Sequence, residues 1–252
     1  MPDDLLLFIA VGFVAQMVDG AIGMAYGISV TSVLLSLGVA PAVASASVHA
    51  AEVFTTGASG AAHWHAGNVR LPVVLRLAIP GVIGGAIGAW LLSGLEGRYV
   101  RPAVSLYLMA LGGLILWRAM WAKQEREPPK HVTLLGLCGG FLDAIGGGGW
   151  GALVSSSLIG GGHQPRFAIG SANAAEFFVT LCISATFLAT IGLDLWPVIL
   201  GLVLGGVLAA PFAALVTKHL PDRPMMVVVA VVILLLSLRN LVMDTQWLLG
   251  WG

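Results

Sequence analysis

The sequence predicts an all-α polytopic membrane protein made of two homologous repeats, and three observations predict it. The 252 residues are 58% hydrophobic and only 10% charged, with a mean hydropathy of +0.95, where a soluble domain carries roughly 25% charged residues. Apolar runs of about 20 residues, enough to cross a bilayer as a helix, recur along the whole chain between short polar turns. One half of the sequence also matches the other. No stretch is long and polar enough for a separate soluble domain, so residues 1–252 read as one integral membrane domain. Zero net charge offers no basic face to nucleic acid.

The repeat appears when the sequence is shifted by 124 residues. Asp19 then falls on Asp143, Gly23 on Gly147, Tyr26 on Trp150 and Gly27 on Gly151. The same offset pairs Pro41 with Pro165, Ser47 with Ser171, and Ala50-Ala51-Glu52 with Ala174-Ala175-Glu176. After one inserted residue the match resumes, with Gly67 on Gly192, Pro72 on Pro197 and Arg98 on Arg223. The repeats run over about 1–122 and 131–252, joined by a charged linker, 123–130. Duplication in a membrane protein points to a transporter with its site between the repeats.

Each half opens with an interrupted apolar stretch, Leu5–Leu37 and Val132–Gly161, and continues with three uninterrupted ones. In the first half these lie at about 41–62, 71–93 and 100–122, and in the second at about 165–189, 195–217 and 224–243. None alternates like a strand. The interrupted stretches allow two readings, a re-entrant hairpin of two half-length helices or one broken helix that crosses. Lys and Arg concentrate on the cytoplasmic side. Eight crossings in parallel repeats would split the twelve Lys and Arg seven to five. Re-entrant hairpins leave three crossings per half and invert the repeats; nine of the twelve then share one side, leaving Arg98, Arg101 and Arg239 opposite. The charges favour inverted repeats, with both termini outside the cytoplasm.

The interruption in the second half reads "DAIGGGGWG", residues 143–151. Glycine costs about 1 kcal/mol against alanine inside a helix, and a carboxylate in hydrocarbon costs several, so the break is expected to serve a purpose. A helix that starts inside the membrane presents free backbone N–H groups and a positive dipole end. Glycine lets an anion reach those amides. Two such breaks meeting near the midplane would form a two-sided cradle, although glycines also simply permit close helix packing. A second constellation is Ser47-Val-His49-Ala-Ala-Glu52, matched by Ser171-Ala-Asn173-Ala-Ala-Glu176. His49 and Glu52 share a helix face, as do Asn173 and Glu176. Each glutamate lies eleven residues after a proline suited to a first helical turn. At 1.5 Å per residue that is about 16 Å into the bilayer. Ionisable groups at such depth are functional candidates, and a carboxyl group withdrawn from water can take up a proton.

"GFVAQMVDGAIGMAYG" in the first half and "GFLDAIGGGGWG" in the second, each followed by a proline-initiated helix carrying "AAE", resemble the sulfite exporter TauE/SafE-like family. The resemblance covers nearly the whole chain. It implies a secondary transporter in the inner (cytoplasmic) membrane, exporting a small sulfur-containing anion such as sulfite, sulfoacetate or another sulfonate. The expected substrate contacts are Gln16, Asp19, Gly23, Tyr26, Gly27, His49, Asp143, Gly147, Gly148, Gly149, Trp150 and Asn173. Glu52 and Glu176 are the expected coupling groups, with H+ or Na+ as coupling ion and no cofactor. Other readings are an anion channel, a carrier of a different organic anion, or an intramembrane enzyme.

The remaining motifs carry less. His63-Trp64-His65 reads as an interfacial anchor and not a metal site, because no carboxylate or cysteine stands nearby in sequence. Cys138 and Cys182 read as buried packing residues. No P-loop, nucleophile elbow or zinc-protease helix is present, so neither an ATPase nor an enzyme is expected. The start, Met1-Pro2-Asp3-Asp4, lacks the positive region of a secretory signal.

Overall fold

A computed structural model describes residues 4–22, 24–121, 131–161, 163–192, 195–216 and 222–248. Among these the only regular structure is helical. The first half contains α1 (Leu5–Ile22), α2 (Tyr26–Ser36), α3 (Pro41–His65), α4 (Leu71–Gly94) and α5 (Gly97–Trp121). The second contains α6 (Val132–Gly146), a π-helical turn (Gly151–Ser155) running into α7 (Ser156–Gly160), α8 (Pro165–Thr190), α9 (Trp196–Val216) and α10 (Asp222–Leu248). Both interrupted stretches are therefore broken helices. The linker 123–130 lies outside the described residues.

Local chemistry sets the boundaries. Pro41 and Pro165 open α3 and α8, where their missing N–H costs nothing. The first break turns at Ala25, whose φ of 102° is left-handed. The second turns on Gly147, at φ 65°, with Gly148 and Gly149 both at 144°, angles open to glycine. The extra residue of the π-helical turn exposes carbonyls, and Arg118 donates to one of them, Ala152 O, at 2.8 Å. The C-terminal end of α2 is also covered by cations. Arg101 donates to Leu35 O and Gly38 O, and Arg239 donates to Ser36 O at 3.0 Å, as the negative pole of the helix favours.

Among the described residues, four helical stretches are long and apolar enough to cross a membrane: Leu71–Gly94, Tyr99–Trp121, Arg166–Thr190 and Met226–Asp244. Their outward faces carry large apolar side chains. Leu71, Leu75, Ile79, Ile83 and Ile87 form an exposed stripe along α4, unsuited to water and suited to lipid. The interior combines an apolar core, with Phe8, Leu77, Trp150 and Phe187 among its members, with buried Ser, Thr, His, Glu and Asp. Trp64, exposed at the end of α3, fits an interface. Cys138 is exposed and Cys182 is half-buried, and both are free, so the expected burial fails for Cys138, which faces outward from α6.

The halves are interlocked. The opening helix of each packs along the fourth helix of the other, α1 on α9 and α6 on α4, through close approaches such as Gly140 against the backbone of Gly81. These two pairs are parallel: Phe8 faces Gly201 and Ile9 faces Gly205, while Leu77 faces Gly136 and Gly81 faces Gly140. Equivalent helices pair as well, α3 with α8 and α5 with α10, and these run antiparallel. Gly57 meets Phe177, Gly60 meets Ala174 and Asn68 meets Gly170, while Gly112 meets Ile233 and Ser105 meets Asp244. Following these contacts, α1 begins and α2 ends at the end of the bundle where α3 starts, whereas α6 begins and α7 ends at the opposite end.

Candidate functional site

The two breaks meet back to back. A Cβ on Gly27 would lie 2.7 Å from Gly148 Cα, and one on Gly148 would collide with the backbone of Gly27 and Ile28. Thr31 donates its hydroxyl to Gly147 O, and Tyr107 donates to Gly148 O at 3.3 Å. The paired aspartates do the same work on each side. Asp19 Oδ1 accepts the Tyr26 N–H at 3.2 Å, and Asp143 Oδ1 accepts the Trp150 N–H at 2.9 Å, each seven residues on. Each carboxylate thus closes its own break by taking a free amide at the start of the second half-helix, in the manner of an N-cap.

This geometry narrows the amide cradle. The N–H groups of Tyr26 and Trp150 are occupied by the chain's own carboxylates. Gly147 and Gly148 serve the close approach of the two breaks.

α3 and α8 bring the second constellation alongside. His49 Nδ1 lies 2.8 Å from Ser45 O and 3.2 Å from Ser45 Oγ, which itself donates to Ala144 O at 2.6 Å. On the other side of the ring, Nε2 lies 3.2 Å from Asp143 Oδ2 and 4.0 Å from Glu52 Oε2. The histidine of one half therefore faces the aspartate of the other more closely than the glutamate on its own helix. In the matching place Asn173 donates to Ser59 Oγ at 2.8 Å. Nε2, Oδ2 and Oε2 lie within 4.8 Å of one another, donor types that a proton or a metal ion satisfies. Trp150 is fully buried and donates its indole N–H to Ala172 O at 3.2 Å.

Between the breaks and these helices lies a cavity of about 20 Å³, room for one water-sized occupant. Eight expected residues line it: Gln16, Asp19, Tyr26, Gly27, Glu52, Gly149, Asn173 and Glu176. His49, Asp143, Gly147, Gly148 and Trp150 stand behind the wall, and Gly23 lies outside the described residues. Ala25, Ile28, Thr55, Thr56, Ser59 and Gly151 complete the lining. Of these, Thr55, Thr56 and Ser59 continue the stripe from Glu52 at i+3, i+4 and i+7, a helical periodicity visible in the sequence. Among the described residues no Lys or Arg lines the cavity, against three carboxyl groups. Glu52 Oε2 and Gln16 Oε1 are buried without a hydrogen-bond partner.

Helices broken at the centre of a lipid-faced bundle, around a polar cavity shared by both halves, define a membrane transport protein. The comparison with known families agrees: the model of Sulfite exporter TauE/SafE matches residues 8–240, and the chain belongs to that family. It is 41% identical over 254 residues to "Probable membrane transporter protein YtnM" of Bacillus subtilis (strain 168), covering 97% of this chain and 84% of that one. No solved structure matches the chain. Family and relative point to a multi-pass membrane transporter rather than an enzyme.

Proposed function

We propose that the protein is a secondary transporter that exports a small sulfur-containing anion, sulfite, sulfoacetate or another sulfonate, across the cytoplasmic membrane, coupled to an ion gradient. The observation that carries this reading is the central cavity, lined from both halves by the breaks and by the helices bearing Glu52 and Glu176. Its size favours a carrier over a standing pore. A sulfonate is several times larger than the one water-sized occupant the space accepts, so binding requires the helices to move. The antiparallel pairing of α3 with α8 and of α5 with α10 supports inverted repeats, whose alternate opening to the two sides is a common transport device. Neutral donors hold the anion in this reading: the side chains of Gln16, Asn173 and Ser59, and glycine backbone around Gly149.

Coupling follows from charge. Asp19, Glu52 and Glu176 around one small cavity repel an anion unless a cation or protons accompany it, and linkage between two binding events is reciprocal. Proteoliposomes test the reading. With an imposed proton or sodium gradient, radiolabelled sulfite or sulfoacetate should accumulate against its own gradient and be recovered chemically unchanged. Dissipation without accumulation would establish a channel, and altered product an enzyme.

A further inference from the structure

The hydrogen bonds around His49 fix the position of one proton and demand another. Ser45 O is a carbonyl and only accepts, and the Ser45 hydroxyl proton is already given to Ala144 O. Both neighbours of Nδ1 therefore require that nitrogen to carry hydrogen. Nε2 then faces Asp143 Oδ2 at 3.2 Å with both groups buried, His49 at 0% and Asp143 at 1% exposure. Without a proton between them, a nitrogen lone pair would oppose a carboxylate in a dry interior, a costly arrangement. We infer that His49 and Asp143 hold a shared proton across the seam between the two halves, and that Glu52 exchanges it with the cavity. Glu52 is placed for this: Oε2 lies 4.0 Å from the same nitrogen, is buried without a hydrogen-bond partner, and belongs to a residue that lines the cavity.

The exchange makes and breaks only N–H and O–H bonds. Nε2 passes its proton to Glu52 Oε2, which releases it to the cavity; a proton entering from the cavity then binds the Glu52 carboxylate and passes to Nε2, restoring the bond shared with Asp143 Oδ2. The other ionisable groups near the trio are Asp19 of α1, Tyr26 of α2, Glu176 of α8 and Tyr107 of α5. In the mirrored half Asn173 replaces His49; its amide gives one N–H to Ser59 Oγ and does not titrate, so the device is single. A proton suits the site better than a metal ion, because His49 and Asp143 do not line the cavity.

This deepens the transport reading, and its test stands apart from flux. The full chain, carrying ¹⁵N-histidine in lipid vesicles, is measured by solid-state NMR, with the His49 signals identified by their loss in His49→Asn. The expected spectrum at neutral pH shows Nδ1 protonated and Nε2 sharing a proton, and Asp143→Asn abolishes the sharing. A bare Nε2, or protonation on Nε2 with a bare Nδ1, overturns the assignment. A stoichiometric bound metal whose removal by chelator shifts the His49 signals also overturns it. In Glu52→Gln, hydrogen–deuterium exchange of the shared proton should slow by about 100-fold, the loss expected of a proton-transfer group, and Glu52→Asp should recover part of it. Unchanged exchange in Glu52→Gln removes Glu52 from the route. Absence of sulfite flux with the expected spectrum defeats the transport reading and leaves the proton site standing.

Discussion

At the scale of single residues, the paired aspartates account for their own presence in an apolar stretch. A carboxylate beside a broken helix looks like part of a ligand site, yet Asp19 and Asp143 are spent on the amides of Tyr26 and Trp150. That partner was not legible, because a contact seven residues on forms only after the chain doubles back. The His49–Asp143 contact was hidden by a separation of 94 residues. The stripe Glu52, Thr55, Thr56, Ser59 was legible from helical spacing alone. Two predictions belong here. Gly148→Val should fail to fold, because its Cβ meets the backbone of Gly27 and Ile28 at a φ of 144°; overpacking alone costs about 1–3 kcal/mol. Loss of the monodisperse peak in size-exclusion chromatography would show it, and a folded variant would refute the packing role. Ser59→Ala removes a cavity hydroxyl that accepts from Asn173 at 2.8 Å and keeps its own proton for a ligand. It should leave the fold intact and weaken sulfite binding several-fold, about 1 kcal/mol for one hydrogen bond, as measured by thermal shift against sulfite concentration.

At the scale of elements, the broken stretches and the three long helices of each half were legible, since apolar runs, prolines and glycines mark them directly. Less legible was what anchors the half-length helices. α2 is only eleven residues long, too short to be stable on its own propensity. Near its end, Leu35 O accepts from Arg101 and Ser36 O from Arg239, and Asn240 adds a bond to Ser32 O. Arg101 is held in turn by Asp244 at 2.7 Å. This gives a physical account of two cations that lie on the minority side of the charge split: they serve a helix end that finishes on that side. Arg101→Ala should lower thermal stability by about 1–2 kcal/mol, the scale of a partly buried helix-terminus cation. A double-mutant cycle with Asp244→Asn should show coupling between the two positions. Additive effects would mean that the ion pair contributes nothing to anchoring α2.

At the scale of the whole molecule, the duplication was legible because matched prolines, glycines and glutamates keep a constant offset. The interlocking of the halves was not, because glycines that line a helix interface look the same whichever helix they meet. The charge distribution and the antiparallel helix pairs lead to one expectation for orientation. Single cysteines introduced beside Arg70 and Arg166 should react with a membrane-impermeant reagent only from the cytoplasmic side, and one beside Arg98 only from the other. Labelling of position 166 from outside would favour parallel repeats over inverted ones.

The exchange of α1 and α6 between halves also has a consequence for descent. Within a single half, the opening hairpin cannot complete its packing on its own fourth helix, since its partner surface lies on a second half facing the other way. A half-length ancestor with this arrangement is complete only as an antiparallel pair, which requires one gene product to enter the membrane in both orientations. Gene duplication and fusion remove that requirement, and from then on each copy is free to diverge. Position 49 is histidine where its counterpart 173 is asparagine, a difference set within a scaffold whose prolines, glycines and glutamates still match.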